Sequence, residues 1–189
     1  MDVPVQLRPT VPIPVSAWAL GRYRGAHRQA IVAMKEHGRR DLARPFGIAL
    51  ARGLLELYRW SELPDRGELC LIPAPTRAAA ARRRGGDPVA AVCGNAAGHL
   101  GPAVRSAGVL QTRALTRDSA GLDAAERTRN LAGAVRFVHQ RSVPVPDSRR
   151  EAVVLVDDVL TTGATAAESI GVLAAQGIAV HAVLVIAGA

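Results

Sequence analysis

Apolar residues follow two patterns along the chain, and the two patterns alternate. In several segments they recur every three or four positions, which is the spacing of one face of a helix. Helices are predicted on this basis for residues 26–37, 42–57, 88–100, 123–131 and 165–176. Between them lie short apolar runs, which are typical of buried strands. Strands are predicted for residues 16–25, 69–72, 104–110, 134–138, 153–156 and 178–186.

Two aspartates predict where helices begin. Asp41 is a candidate cap for the second helix, since Pro45 would then fall in its first turn, where proline is tolerated. Asp87 followed by Pro88 is a strong start signal for the third helix.

The order of these elements favours an α/β fold. Strands alternate with helices, and the strands are apolar along their length rather than at every second position. That pattern is typical of a largely parallel sheet with both faces covered. Residues 1–15 are rich in proline and are predicted to form an extended or loose arm, followed by one domain over residues 16–189.

The charge of the chain favours anionic partners. The net charge is +8 and Lys35 is the only lysine, so almost all of the positive charge is arginine. Such a field attracts phosphates or nucleic acid, with coding bias as the alternative explanation. Arg82, Arg83 and Arg84 could bind pyrophosphate or a nucleic-acid backbone, with a solvated basic turn as the alternative. Lys35 is interpreted as part of an exposed helix face.

Cys70 and Cys93 are predicted to be buried small apolar residues. Two thiols cannot form a disulfide framework or a four-thiolate zinc site, so no zinc is expected. The first residues lack the apolar segment of a signal peptide, and no run is long enough to span a membrane. A cytoplasmic protein without membrane contact is therefore expected.

The most informative segment begins where the predicted strand 153–156 ends in Asp157 and Asp158. A loop of small and hydroxyl residues follows, and a helix is predicted to begin at about its end. In parallel sheets, ligands bind at the carboxyl ends of strands. A helix start offers free N–H groups to a phosphate, and two carboxylates can accept hydrogen bonds from a pair of ribose hydroxyls. An ordinary polar turn is the alternative. The predicted phosphate-binding residues are Thr161, Thr162, Gly163, Ala164 and Thr165.

This segment resembles the phosphoribosyl diphosphate (PRPP) motif of type I phosphoribosyltransferases. From about residue 17 to residue 187, the chain resembles the competence protein F (ComF) family. Further matches are Tyr23-Arg24-Gly25 leading to Lys35 and Gly38, Ile72-Pro73-Ala74-Pro75, Arg82 to Gly85, Gly121-Leu122, and Glu126-Arg127 with Asn130. The resemblance implies the type I phosphoribosyltransferase fold, with a mainly parallel sheet, helices on both faces and a small N-terminal hood.

The resemblance also implies roles for individual residues. Asp157 and Asp158 would bind the ribose hydroxyls of PRPP, and residues 161–165 its 5-phosphate. A mobile loop around Arg127 and Asn130 would close over pyrophosphate, so the implied catalytic residues are Asp157, Asp158 and Arg127. The Pro73-Ala74-Pro75-Thr76 turn would form the pyrophosphate loop with Arg77 close by, and the implied binding residues there are Ala74, Pro75, Thr76 and Arg77. Mg²⁺ would be bound mainly through PRPP oxygens and water, with no metal site built by the protein alone.

Three functions remain open at this point. The first is a phosphoribosyltransferase that transfers a phosphoribosyl group to a nitrogen acceptor, or removes it, with pyrophosphate as the leaving group. The second is a non-catalytic PRPP- or nucleotide-sensing module that assists DNA uptake or recombination. The third is a single-stranded DNA binder, whose contacts would be weak and lost in salt. The oligomeric state is also open, with a homodimer among the alternatives.

Overall fold

A computed structural model describes residues 3–75, 86–112, 134–140 and 142–189. The helices in these residues are α1 (Gly25–Glu36), α2 (Ala43–Arg59), α3 (Pro88–Leu100) and α4 (Ala164–Ala174), with a 3₁₀ turn at Arg40–Leu42. The strands are β1 (Val5–Leu7), β2 (Ser16–Ala19), β3 (Glu68–Pro73), β4 (Val104–Ser106), β5 (Leu110–Thr112), β6 (Val135–Phe137), β7 (Glu151–Leu160) and β8 (Ala182–Gly188). None of the helices in these ranges is long and apolar enough to cross a membrane.

Six of the described strands form one mixed sheet in the order β1-β2-β8-β7-β3-β4. Only the outer pair, β1 with β2, is antiparallel, and the other four pairings are parallel. β5 and β6 form a separate antiparallel pair. The predicted α/β class and the largely parallel sheet are confirmed.

Both faces of the sheet are covered, as the apolar strands predicted. Successive residues of β7 point to opposite faces, so Val153 and Leu155 pack on one side and Val154 and Val156 on the other. The first face is covered by α4 together with β5 and β6. The second is covered by α1, α2 and α3.

One of the two predicted helix caps is present. The Asp87 side chain accepts hydrogen bonds from the N–H groups of Val89 (2.9 Å) and Ala90 (3.2 Å), which confirms it as the cap of α3. The prediction for Asp41 is wrong. Its carboxylate pairs with the guanidinium of Arg39 at 2.7 and 2.8 Å, and a 3₁₀ turn precedes α2.

The strand predicted over residues 104–110 is two strands, because the chain leaves the main sheet at Ala107 and continues as β5. The last strand begins at Ala182 rather than at residue 178. There, the His181 side chain accepts a hydrogen bond from the N–H of Val153 through Nδ1 (2.9 Å). A side chain thus takes the place of a backbone acceptor just before β8 begins. The predicted helix at 123–131 lies outside the described residues.

The proline-rich arm is attached to the domain. Its strand β1 pairs with β2, and Gln6 lies opposite Trp18. Further along, the N–H of Val11 donates to the carbonyl oxygen of Thr162 at 2.8 Å. The arm therefore reaches the loop that follows β7, where the sequence places the phosphate.

Candidate functional site

The carboxyl ends of β3 and β7 lie side by side at one edge of the sheet. Pro73 is opposite Val156, and the N–H of Ala74 donates to the carbonyl oxygen of Val156 at 2.7 Å. This bond fixes the turn at Ala74 and Pro75 beside Asp157. The structure therefore brings the first half of the predicted pyrophosphate loop next to the acid pair.

Asp157 and Asp158 belong to β7, which is longer than the predicted strand and continues through both acids. Asp158 is buried, with 5% of its surface exposed, while Asp157 is half-buried. The N–H of Asp158 donates to Oδ1 of Asp157 at 2.8 Å. Because strand and loop hold both backbones, the two carboxylates have fixed positions at the sheet edge.

Lys35 of α1 forms an ion pair with Asp158, with 2.8 Å between Nζ and Oδ2. The interpretation of Lys35 as part of an exposed helix face is therefore wrong. Its side chain is 35% exposed and that of Asp158 is 7% exposed. Helical spacing could have shown this, since Ile31 and Met34 are buried and Lys35 lies on the same side of α1.

The electrostatics of the acid pair are unusual for a strand end. Burial, and next the charge of Asp158, raise the pKa of Asp157 to about 7, and Asp87 adds to this. The hydrogen bond from the Asp158 N–H and the charge of Lys35 act in the opposite direction. A carboxylate that is costly to ionise in the folded state is characteristic of functional sites.

The other end of β7 also has a buried acid, Glu151, and it shows what a structural pair looks like. Arg105 binds both of its oxygens, at 2.6 and 2.9 Å, and the N–H of Asp147 donates to Oε1 at 2.8 Å. Asp157 has no cation of its own among the described residues. In the described part of the chain, Asp157 and Asp158 therefore each have fewer hydrogen-bond and ion-pair partners than Glu151.

The loop of residues 161–165 has the geometry expected of a phosphate-binding turn. Gly163 precedes α4 with a φ of 89°, a left-handed conformation that favours glycine. The N–H of Ala164 makes a long contact of 3.4 Å with Oγ1 of Thr162. No other N–H from Thr161 to Thr165 has a hydrogen-bond partner in the part of the chain that the structure describes. These donors, at the positive end of a helix, are available to an anion.

The N-terminal arm packs against the back of this loop. A Cβ at Gly163 would lie 2.7 Å from Cβ of Pro9 and 3.1 Å from the carbonyl oxygen of Val11. Glycine is therefore required here both by backbone conformation and by space. The sequence indicates the glycine but not this contact, because a proline-rich segment has no periodicity that reveals its partner.

The remaining predicted residues lie outside the described ranges. They are Thr76, Arg77, Arg82, Arg83, Arg84, Arg127 and Asn130. Their immediate neighbours are placed, however. The N–H of Val135, at the start of β6, donates to Oε1 of Glu168 on α4 at 2.9 Å. Val135 thus lies beside the helix that begins at residue 164.

Two cavities lie beside the helices on one face of the sheet. One of about 110 Å³ lies between α1 and the start of α3 and is lined by Met34, Asp87 and Pro88. A larger, mostly apolar one of about 230 Å³ includes Glu68 and Val104 in its lining, at the amino ends of β3 and β4. Neither is lined by the acid pair or by the 161–165 loop. The site is therefore placed by the carboxyl ends of β3 and β7, since ligands bind at the carboxyl ends of strands in parallel sheets.

Asp157→Asn is expected to stabilise the protein above neutral pH. The unfolded pKa is about 3.9, and the folded value of about 7 is higher. The stability that the folded protein gains from protonated Asp157 is therefore fully present below the pKa of the unfolded state. It is lost as the pH rises through the folded pKa of about 7. Asparagine avoids the ionisation and can still accept the hydrogen bond from Asp158. Thermal melts at pH 8 and pH 5 should show a clear gain for the variant at pH 8 and a smaller one at pH 5. Equal changes in melting temperature at both pH values would contradict a raised pKa for Asp157 in the folded state.

Among the described residues, no three His, Cys, Asp or Glu side chains come together as a metal site. Cys70 and Cys93 are both buried and unpaired, as predicted. No model of a known protein family matches the chain, and no curated protein matches it in sequence.

Proposed function

We propose that this protein binds PRPP and transfers its phosphoribosyl group to a nitrogen acceptor, or catalyses the reverse reaction. The observation that carries the proposal is the order of groups along one segment. Two aspartates lie near the carboxyl end of the central parallel strand β7, and a glycine-containing turn with unpartnered N–H groups follows the last residue of that strand. Ribose hydroxyls and a 5-phosphate are spaced to meet these two groups together.

The phosphate and the ribose of the donor would be bound by hydrogen bonds of opposite direction. The phosphate oxygens would accept hydrogen bonds from the N–H groups of residues 161–165 and from the exposed hydroxyls of Thr161 and Thr165. The two ribose hydroxyls would donate to Asp157 and Asp158. Hydrogen bonds to charged groups are stronger than neutral ones, so the carboxylates give the site its preference for an intact ribose.

The fold supports the same proposal. The observed α/β architecture is compatible with the type I phosphoribosyltransferase fold, with the site at the carboxyl edge of the sheet. The turn at Ala74 and Pro75 lies beside the acids, where the leaving pyrophosphate of a bound donor would be. β5 and β6 are antiparallel neighbours that bracket the segment with Arg127, the proposed loop that closes over pyrophosphate.

In the reaction, the bond between C1 of the ribose and a pyrophosphate oxygen breaks, and the electron pair leaves with pyrophosphate. The acceptor nitrogen supplies the pair that forms the new bond to C1. Positive charge on the ribose ring and negative charge on the leaving group both grow in the transition state. Asp157 and Asp158 hold the ring in place, and Arg77 and Arg127 are the proposed cations for the leaving group.

Mg²⁺ fits this site as an ion held mainly by the oxygens of PRPP and by water. The two carboxylates are assigned to the ribose hydroxyls, and Asp158 is already paired with Lys35. Such an ion prefers a few carboxylate or phosphate oxygens and keeps several waters. When bound, it would neutralise charge on the pyrophosphate.

The proposal is tested by calorimetry with PRPP and Mg²⁺, followed by pyrophosphate release across a panel of bases and amines. Binding together with acceptor-dependent release is the expected result. Binding without release from any acceptor would support the sensing module instead. No binding of PRPP or of ribose 5-phosphate would refute both functions and leave the single-stranded DNA binder as the remaining hypothesis.

A further inference from the structure

We propose that Lys35 is a positioning residue of the ribose site, acting through Asp158. The inference rests on the proposed function, because it assigns a role within the site that binds the phosphoribosyl group. Its basis is the ion pair between Nζ of Lys35 and Oδ2 of Asp158, at 2.8 Å. Since this contact uses Oδ2, Oδ1 is the oxygen that is left to accept a hydrogen bond from a ribose hydroxyl.

The position of Lys35 is set by packing. Ile31 and Met34 are buried on the same side of α1, with 0% and 3% of their surfaces exposed. They hold the helix against the face of the sheet from which Asp158 projects. The Lys35 side chain therefore approaches the acid pair from a fixed backbone, while part of it stays in contact with water.

Stability alone does not explain this pair. An ion pair with one nearly buried partner gains little net free energy, because removing charges from water offsets the attraction. The pair of Arg105 with Glu151 has two side-chain hydrogen bonds and a further backbone donor. Lys35 contacts one oxygen of an acid whose neighbour, Asp157, has no cation of its own among the described residues. Lys35 thus acts on both carboxylates, through a direct contact with Asp158 and through its charge on Asp157.

Lys35 makes the two acids different from each other. It pairs directly with Asp158, while Asp157 is the member that exchanges a proton near neutral pH. The charged and titratable groups that act on Asp157 are Asp158 on its own strand, Lys35 on α1, and Asp87 and Cys93 at α3. Among these, Lys35 is the only one that favours the ionised form of Asp157. Removing it should shift the pH dependence of ribose binding upwards.

The test compares Lys35→Met, Lys35→Gln and Lys35→Arg with the wild type. Ribose 5-phosphate and inorganic phosphate are titrated by calorimetry between pH 6 and pH 9. Both neutral variants should bind ribose 5-phosphate about tenfold more weakly at neutral pH, as expected for losing one charge-assisted contact. They should bind inorganic phosphate as the wild type does, because the 161–165 loop is unchanged. The pH at which ribose binding is half-maximal should rise, and Lys35→Arg should restore most of the affinity.

Arg28→Met is the matched control, because it removes one positive charge from an exposed position of the same helix. It should leave the affinity for ribose 5-phosphate and its pH profile unchanged. Two folded neutral variants with wild-type affinity and pH profile would overturn the role of Lys35 and leave the proposed function standing. A wild type that binds ribose 5-phosphate no better than inorganic phosphate would refute the proposed function, and the role of Lys35 with it. Melting curves identify a variant that does not fold, and the other neutral variant then decides.

Discussion

Replacing Asp157 and Asp158 together with asparagine is expected to abolish binding of PRPP and ribose 5-phosphate, while the protein stays folded. Hydrogen bonds to charged groups contribute roughly 1.5–3 kcal/mol each, so losing two charged acceptors should weaken binding by about 100-fold or more. The fold should survive, because asparagine keeps the shape of both side chains. Lys35 loses its ion pair with Asp158, but part of its side chain is already in water. Calorimetry with ribose 5-phosphate, together with thermal melts, measures both properties.

The control for this variant must change the net charge equally without touching the site. Asp65→Asn with Glu68→Gln does so, since both acids are exposed at the opposite edge of the sheet. If the control weakens binding as much as the site variant, the effect is one of long-range charge on an anionic ligand. Undiminished binding by the site variant would remove the acids from the ribose site.

The sequence predicted the layers of the fold because its strand pattern is local. Every position of residues 153–156 is apolar, and a strand of that kind is stable only when covered on both faces. The same local logic predicted a phosphate-binding turn, since a glycine and three threonines follow the strand. These features depend on neighbouring residues and need no knowledge of distant contacts.

Contacts between distant parts of the chain could not be predicted in this way. Lys35 of helix α1 contacts Asp158 of strand β7, and Val11 of the arm contacts Thr162. In neither case does the local sequence of one residue indicate which residue it will contact. The prediction of one strand over residues 104–110 is wrong for a similar reason, because the two ends of this segment pair with different strands. Only the tertiary structure decides where such a run divides.

Gly163→Val is expected to abolish binding of ribose 5-phosphate and of inorganic phosphate. At a φ of 89°, a residue with a branched Cβ is strained, at a cost of order 1–3 kcal/mol. The Cβ would also lie 2.7 Å from Pro9, so the arm or the turn must move. Either movement turns the N–H groups of residues 161–165 away from a common anion. Titration with both ligands measures the loss, and binding of inorganic phosphate separates this effect from that of the acids.

Gly177→Val is the matched control, because it shares the backbone strain and lacks the crowding. Gly177 has a φ of 74°, follows the same helix α4 at its other end, and has open space around its Cβ position. Both variants should lose stability, but only Gly163→Val should lose the anion. If both bind inorganic phosphate normally, the turn is not the phosphate site. If both fail equally, global destabilisation explains the loss. A loss confined to Gly163→Val assigns the 5-phosphate to the start of α4, since the acids and Lys35 are untouched in that variant.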